Sequence, residues 1–150
     1  MCSAALADRV LEGEARRACP DCNYVNYNNP TPVVAAIVEV GDDVVLVQNK
    51  GWPGSWFGLV SGFLEACEDP AMGVLREVEE EIGLTSSTAT LVGAYNFPQM
   101  NQVVIVYHVI ASGEPIVGDE LEAIKKVPTA KLKPWPGATG EAVADWLASR

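Results

Sequence analysis

Between Arg76 and Leu84 the chain reads REVEEEIGL, with glutamates at 77, 79, 80 and 81. Wound at about 100° per residue, Glu77, Glu80 and Glu81 fall on a shared face, while Glu79 points away toward solvent. Like charges spaced i, i+4 cost a helix a few tenths of a kcal/mol each, and the last turn is where the macrodipole already disfavours anions. Oxygen ligands converging from one face suit Mg²⁺ or Mn²⁺, which prefer carboxylates and water and bridge to substrate phosphates. The plainer alternative is a solvated charged face, the usual fate of glutamate runs.

These residues need a helix to hold them, and its limits are legible. Asp69 and Pro70 form a start, a carboxylate N-cap followed by proline where its missing N–H costs nothing. Gly83 is a stop able to adopt the left-handed cap. Ala71, Leu75, Val78 and Ile82 make the apolar stripe expected to face the core. Upstream, VVAAIVEV (33–40) and DVVLVQNK (43–50) are β-branched runs joined by a Gly-Asp turn, a hairpin signal. GWPGSWFGLVSGFLEACE reads as loop and short strand, and ATLVGAY (89–95) and QVVIVYHVIA (102–111) as two further strands. Residues 118–125 suggest a short helical or bent segment, and 141–149 a closing amphipathic helix. Strands and helices mixed in this order predict an α+β fold with a mixed sheet between helices.

Read from Gly62, the segment GFLEACEDPAMGVLREVEEEIGL resembles the signature of the Nudix hydrolases, through Gly62, Glu68, Arg76, Glu77, Val78, Glu80, Glu81, Gly83 and Leu84. Seven fixed residues and two aliphatic positions at fixed offsets are far more specific than a lone glycine-rich triplet. The resemblance implies an α/β/α sandwich. It also implies hydrolysis, with Mg²⁺ or Mn²⁺, of the pyrophosphate in a nucleoside diphosphate linked to another moiety, such as ADP-ribose, FAD or NADH. By the same resemblance, Glu77 and Glu81 are the principal metal ligands and Glu80 a further ligand or an orienter of water. The carbonyl of Ser61 is another ligand, and Arg76 pairs with Glu68. GDELEA (118–123) resembles a later loop that supplies a ligand or general base, which makes Glu120 the first candidate and Glu122 the second. A nucleotide-sensing module that binds without turnover is the alternative. Many members read Leu-Pro-Gly-Gly before the helix; here the residues are Leu59, Val60, Ser61 and Gly62, so a turn with less glycine freedom is expected. Members that hydrolyse NADH carry a Ser-Gln-Pro-Trp-type motif downstream, in place of which this chain has AYNFPQMNQ.

The first thirty residues stand apart as a polar segment carrying three of the four cysteines. CPDC, Cys19 to Cys22, resembles one knuckle of the zinc ribbon that precedes the Nudix domain in NADH pyrophosphatases. A closed ribbon needs four ligands, and only Cys2 lies at a suitable distance. Residues 1–30 are therefore expected to form a partial zinc-ribbon-like segment and 31–150 the main domain. Cys67 reads as packing.

For a substrate base, Trp52, Trp56, Phe57, Tyr95 and Phe97 are the candidate stacking surfaces, with core packing as the competing role of each. Trp135 and Trp146 read as packing around the last helix, and His108 as structural. The formal charge of −10 argues against nucleic-acid binding, which needs Lys and Arg to release counterions. The apolar runs are strand-length and no leader pattern opens the chain, so a cytoplasmic location without membrane contact is the default expectation. Relatives are often dimers, so a homodimer is also an expectation.

Overall fold

A computed structural model describes residues 2–150, which form two compact units, residues 2–30 and 31–150. In the first, β1 (Ala7–Leu11), β2 (Glu14–Ala18) and β3 (Val25–Asn26) make a small antiparallel sheet in that order. Its first turn is Glu12-Gly13, both at positive φ, the two-residue hairpin geometry that matches strand twist. Among the described residues of this unit only Ala18 and Cys19 are buried. Thirty residues with so little apolar burial need a staple to hold together.

The second unit is built on β4 (Thr31–Val40), β5 (Asp43–Asn49), β6 (Val60–Phe63), β7 (Ala89–Phe97), β8 (Gln102–Ala111) and β9 (Leu121–Pro128). Five strands run in the order β7-β8-β4-β5-β9, and β6 pairs with the first half of β4. β4 and β8 are parallel and every other pairing is antiparallel, so the sheet is mixed. The unbroken VVAAIV of β4 follows from burial on both faces. Val34, Ala36 and Val38 pack in one core with Val74, Val78 and Ile82 of α1 (Pro70–Ile82). Val33, Ala35 and Ile37 pack in the other with Ala142, Val143 and Trp146 of α2 (Ala138–Ala148). This is the three-layer α/β/α arrangement that the signature implies. Among the described residues no helix is long and apolar enough to cross a membrane.

Two details depart from expectation. Residues 121–128 are a strand rather than a helical or bent segment: pairing along β5, from Asp43↔Pro128 to Asn49↔Leu121, overrides the helical preference of Glu, Leu, Ala and Lys. The buried stripe of α1 runs through Val74, Val78 and Ile82, with Ala71 and Leu75 only partly buried beside it.

Candidate active site

The ends of α1 are set as the sequence suggests. The Asp69 carboxylate accepts from the N–H groups of Ala71 and Met72, and Gly83 takes φ 65° with its N–H on the Glu79 carbonyl. Between these caps the glutamates separate. Glu77 and Glu81 are buried, at 9% and 6% exposure, whereas Glu79 is exposed and the Glu80 side chain is 59% exposed.

Glu77 lies against the backbone of β6. A Cβ on Gly62 would overlap its carboxylate, so glycine is the residue that leaves room for it. Arg76 ties the cluster together. Its Nε and one terminal nitrogen grip the two oxygens of Glu68 at 2.8 and 3.1 Å, and the other terminal nitrogen reaches Glu77 at 2.7 Å and Glu80 at 2.9 Å. It also donates to the carbonyl of Phe63 at 3.2 Å. A planar guanidinium can serve this many acceptors at fixed angles, which the point charge of lysine cannot. The Glu68 carboxyl is held down to about 2 by the Arg76 hydrogen bonds and by the N–H of Glu65.

Among the described residues no cation pairs with Glu81 in the same way. Burial pushes its carboxyl up to about 8, the charges of Glu77, Glu120 and Glu80 add to the rise, and a hydrogen bond from the backbone N–H of Ser61 opposes it. Burial likewise raises Glu77, against the pull of Arg76. One oxygen of Glu81 is buried without a hydrogen-bond partner. A carboxylate pair desolvated to this degree, with an orphaned oxygen, is a donor set that a hard divalent cation would satisfy. The residues present therefore fit Mg²⁺ or Mn²⁺. Ser61 is joined to this group through its N–H.

Glu120 arrives on the loop before β9. The N–H groups of Ile116 and Gly118 bond the carbonyls of Ile82 and Glu81 at 2.9 and 3.0 Å, which caps the open end of α1. A Cβ on Gly118 would come to 2.5 Å from the Glu81 carbonyl oxygen, so this contact also needs glycine. Lys50 pins the same loop, its N–H on the Glu120 carbonyl and its Nζ on that of Asp119. Gly118 and Lys50 were not singled out from the sequence; the only signal was the Gly-Asp pair ahead of Glu120. Glu122 is exposed on β9 itself.

Ser61 also lines a cavity of about 460 Å³, within the range of small-molecule sites. Trp52, Trp56, Phe57 and Phe97 lie on its walls, and the two indoles meet at 6.1 Å. Tyr95 is not among the lining residues: its hydroxyl donates to Asp145 at 2.8 Å and its ring packs in the α2-side core. Trp135 takes a wall instead, fixed by its indole N–H on the Thr139 hydroxyl. The sequence treats it as packing because its distance in the chain from the other aromatics hides their convergence. Trp146 is buried against His108, whose Nε2 is 2.7 Å from Glu39, and this pair lies outside the cavity.

In the first unit the thiols of Cys2, Cys19 and Cys22 lie within 4.8 Å of one another. The Cys22 thiol is held down to about 7 by the N–H of Tyr24 and by the other two thiols. Cys67 is exposed and free, on a left-handed turn ahead of α1, rather than packed.

Fold and site together define an α/β/α sandwich of the loop–helix–loop class, in which one short helix brings a carboxylate cluster to the edge of a mixed sheet. Within that class the chain belongs to the Nudix family: the model for the NUDIX domain matches residues 29–146. The chain is 29% identical over 120 residues to the NAD-capped RNA hydrolase NudC of Pseudomonas aeruginosa, a match covering 79% of this chain and 43% of that protein. The chain thus spans less than half the length of the curated relatives it matches. In fold it is similar to a NUDIX hydrolase from Nitrosomonas europaea, with TM-score 0.82, 23% identity, and coverage of 100% of this chain and 89% of that one. It is also similar to the NUDIX domain of Shewanella oneidensis NrtR complexed with ADP ribose, with TM-score 0.64, 18% identity, and coverage of 80% and 88%.

Proposed function

We propose that this chain is a divalent-metal-dependent pyrophosphohydrolase acting on a nucleoside diphosphate linked to a second moiety. The observation that carries the reading is one shared residue: Ser61 has its backbone N–H near enough to the buried Glu81 carboxylate to favour its charge, and it also lines the aromatic cavity, so the acidic cluster adjoins a nucleoside-sized site. ADP-linked compounds are the favoured class, in keeping with the NAD cap and the ADP ribose named for the relatives.

Glu77 and Glu81 would hold Mg²⁺ or Mn²⁺, with Glu80 and Glu120 completing the set and the Ser61 carbonyl a further candidate. When bound, the cation supplies positive charge against the pyrophosphate oxygens and makes water more acidic. Arg76 keeps Glu77 and Glu80 in place through its shared hydrogen bonds. Glu120, on its pinned loop, is the candidate to accept the proton from the attacking water. The aromatic walls hold the base and keep solvent from that side. Water attacks one phosphorus, the bridging P–O bond breaks, and a nucleoside monophosphate leaves with the phosphorylated second moiety.

The test is release of a nucleoside monophosphate from ADP-ribose, NADH and FAD with Mg²⁺ or Mn²⁺, beside Glu81→Gln. Activity unchanged in that variant would sink the assignment. Tight binding without hydrolysis across metals and pH would favour the sensing alternative.

In residues 1–30 the three thiols fit zinc. Tetrahedral Zn–S bonds of about 2.3 Å set sulfurs roughly 3.8 Å apart, close to the spacing here, where Cys2 and Cys19 lie at 3.3 Å. We propose a structural zinc ion at this position. Metal analysis of the purified protein should find about one zinc per chain, lost in Cys19→Ser.

A further inference from the structure

The row of β8 residues facing α2 runs through Val106 and Val104, both buried in the α2-side core, and the next member of that row is Gln102. Strand alternation calls for an apolar side chain there, yet the position holds a carboxamide. Gln102 pairs with Phe97 on β7 and with Thr31 on β4, and it lines the aromatic cavity. Among the described residues its side chain makes no hydrogen bond within the protein. The unpaired amide is open to the cavity, where a ligand edge can take up both its donor and its acceptor.

The geometry points to Gln102 as the residue that reads the base, through the 6-amine and neighbouring ring nitrogen of adenine. The inference rests on the ADP-linked reading of the cavity above and adds the residue that reads the base. A carboxamide presents one acceptor beside one donor, which is the complement of an amine beside a ring nitrogen. Guanine would bring a carbonyl, a ring N–H and a second amine, three polar groups into a cavity whose other walls are largely indole, phenyl and aliphatic. The Thr139 hydroxyl there already accepts from Trp135. Adenine leaves fewer groups unpaired, and sites built around hydrogen bonds discriminate against analogues that lack them.

The experiment needs no turnover. Trp52, Trp56 and Trp135 line the cavity, so quenching of intrinsic tryptophan fluorescence reports occupancy by AMP, by purine riboside monophosphate, which lacks the 6-amine, and by GMP. The wild-type chain is expected to bind AMP on the order of tenfold tighter than either competitor, the scale of one bidentate amide–base contact. Gln102→Met extends the apolar row of Val104 and Val106; it should weaken AMP to the level of the desamino analogue. Gln102→Glu keeps the acceptor for the 6-amine and loses the donor to the ring nitrogen, so it should weaken both AMP and the desamino analogue while still preferring AMP. A preference for AMP that persists in Gln102→Met, equal binding of AMP and the desamino analogue by the wild type, or no quenching by any of the three overturns the assignment. AMP binding that depends on Gln102, with no hydrolysis of any ADP-linked compound, would leave this inference standing while the proposed activity fell.

Discussion

Replacing Glu81 by glutamine should make the metal-free protein more stable relative to wild type as pH rises, even as it removes the group on which metal binding is proposed to depend. The carboxyl titrates near 4.5 in the unfolded chain and at about 8 in the fold, because burial beside Glu77 and Glu120 disfavours its charge. Below 4.5 both states hold the proton and the contribution to stability is fully present. Between 4.5 and about 8 the folded state keeps a proton that the unfolded chain has released, so stability falls with rising pH. The slope is up to about 1.4 kcal/mol per pH unit, which gives roughly 3 kcal/mol lost by pH 7. Glu77 is raised for the same reason and acts in the same direction. Glu68, held down to about 2, acts in the opposite direction and in a separate window, losing its contribution as pH falls from 4.5 toward 2. All four tryptophans lie in residues 31–150, so their fluorescence follows unfolding of the Nudix unit alone. Urea titrations in EDTA at half-unit steps from pH 5 to pH 8 should show Glu81→Gln gaining on wild type by about 1 kcal/mol per unit. A difference between the two proteins that stays flat across that range would refute the desolvation argument.

The same proton competes with a cation. Mg²⁺ should raise the wild-type melting temperature little at pH 5.5 and progressively more toward pH 8, with apparent affinity rising by up to tenfold per unit; a pH-independent shift would place the ion elsewhere. Gly62→Ala inserts a methyl group where the Glu77 carboxylate sits. It should cost about 1–3 kcal/mol of stability and most of the turnover, read by urea titration and the AMP-release assay. Arg76→Lys keeps the charge but loses the two-pronged grip on Glu68. Paired with Glu68→Gln in a double-mutant cycle, it should show a coupling of about 1–3 kcal/mol; additive effects would mean the ion pair is decorative. Gly118→Ala presses on the Glu81 carbonyl and should lower kcat by displacing Glu120 while leaving the circular dichroism spectrum unchanged.

What could be read in the chain depended on whether the signal was local. The limits of α1 were legible because a cap is a matter of two or three adjacent residues, Asp69 with Pro70 and Gly83. The carboxylates were legible because one helix carries them at fixed spacing. β9 was not, since GDELEAIKK has the composition of a helix and becomes a strand only through its ladder with β5. The first sheet was hidden for a different reason: ADRVL and EARRA are exposed along most of their length, and strands without a buried face show no alternation. The cavity lay between these cases. Trp52, Trp56, Phe57 and Phe97 stood near the signature in sequence. Trp135 and Gln102 reach the same space from a late loop and from the start of β8, which no linear pattern announces.

The shared position of Ser61 has an evolutionary corollary. The carboxylates sit on α1 and the loop before β9, braced by Gly62, Gly118 and Arg76, all positions where one substitution disturbs several contacts. The cavity is walled by side chains from other segments, among them Trp56, which is 59% exposed and makes few obligations to the core. The proposed cleavage and recognition thus rest on different segments of one scaffold. A lineage can exchange one nucleotide for another at Trp56, Trp135 or Gln102 while inheriting the acidic cluster intact, and the strand carrying Ser61 is the narrow seam across which the two must stay aligned.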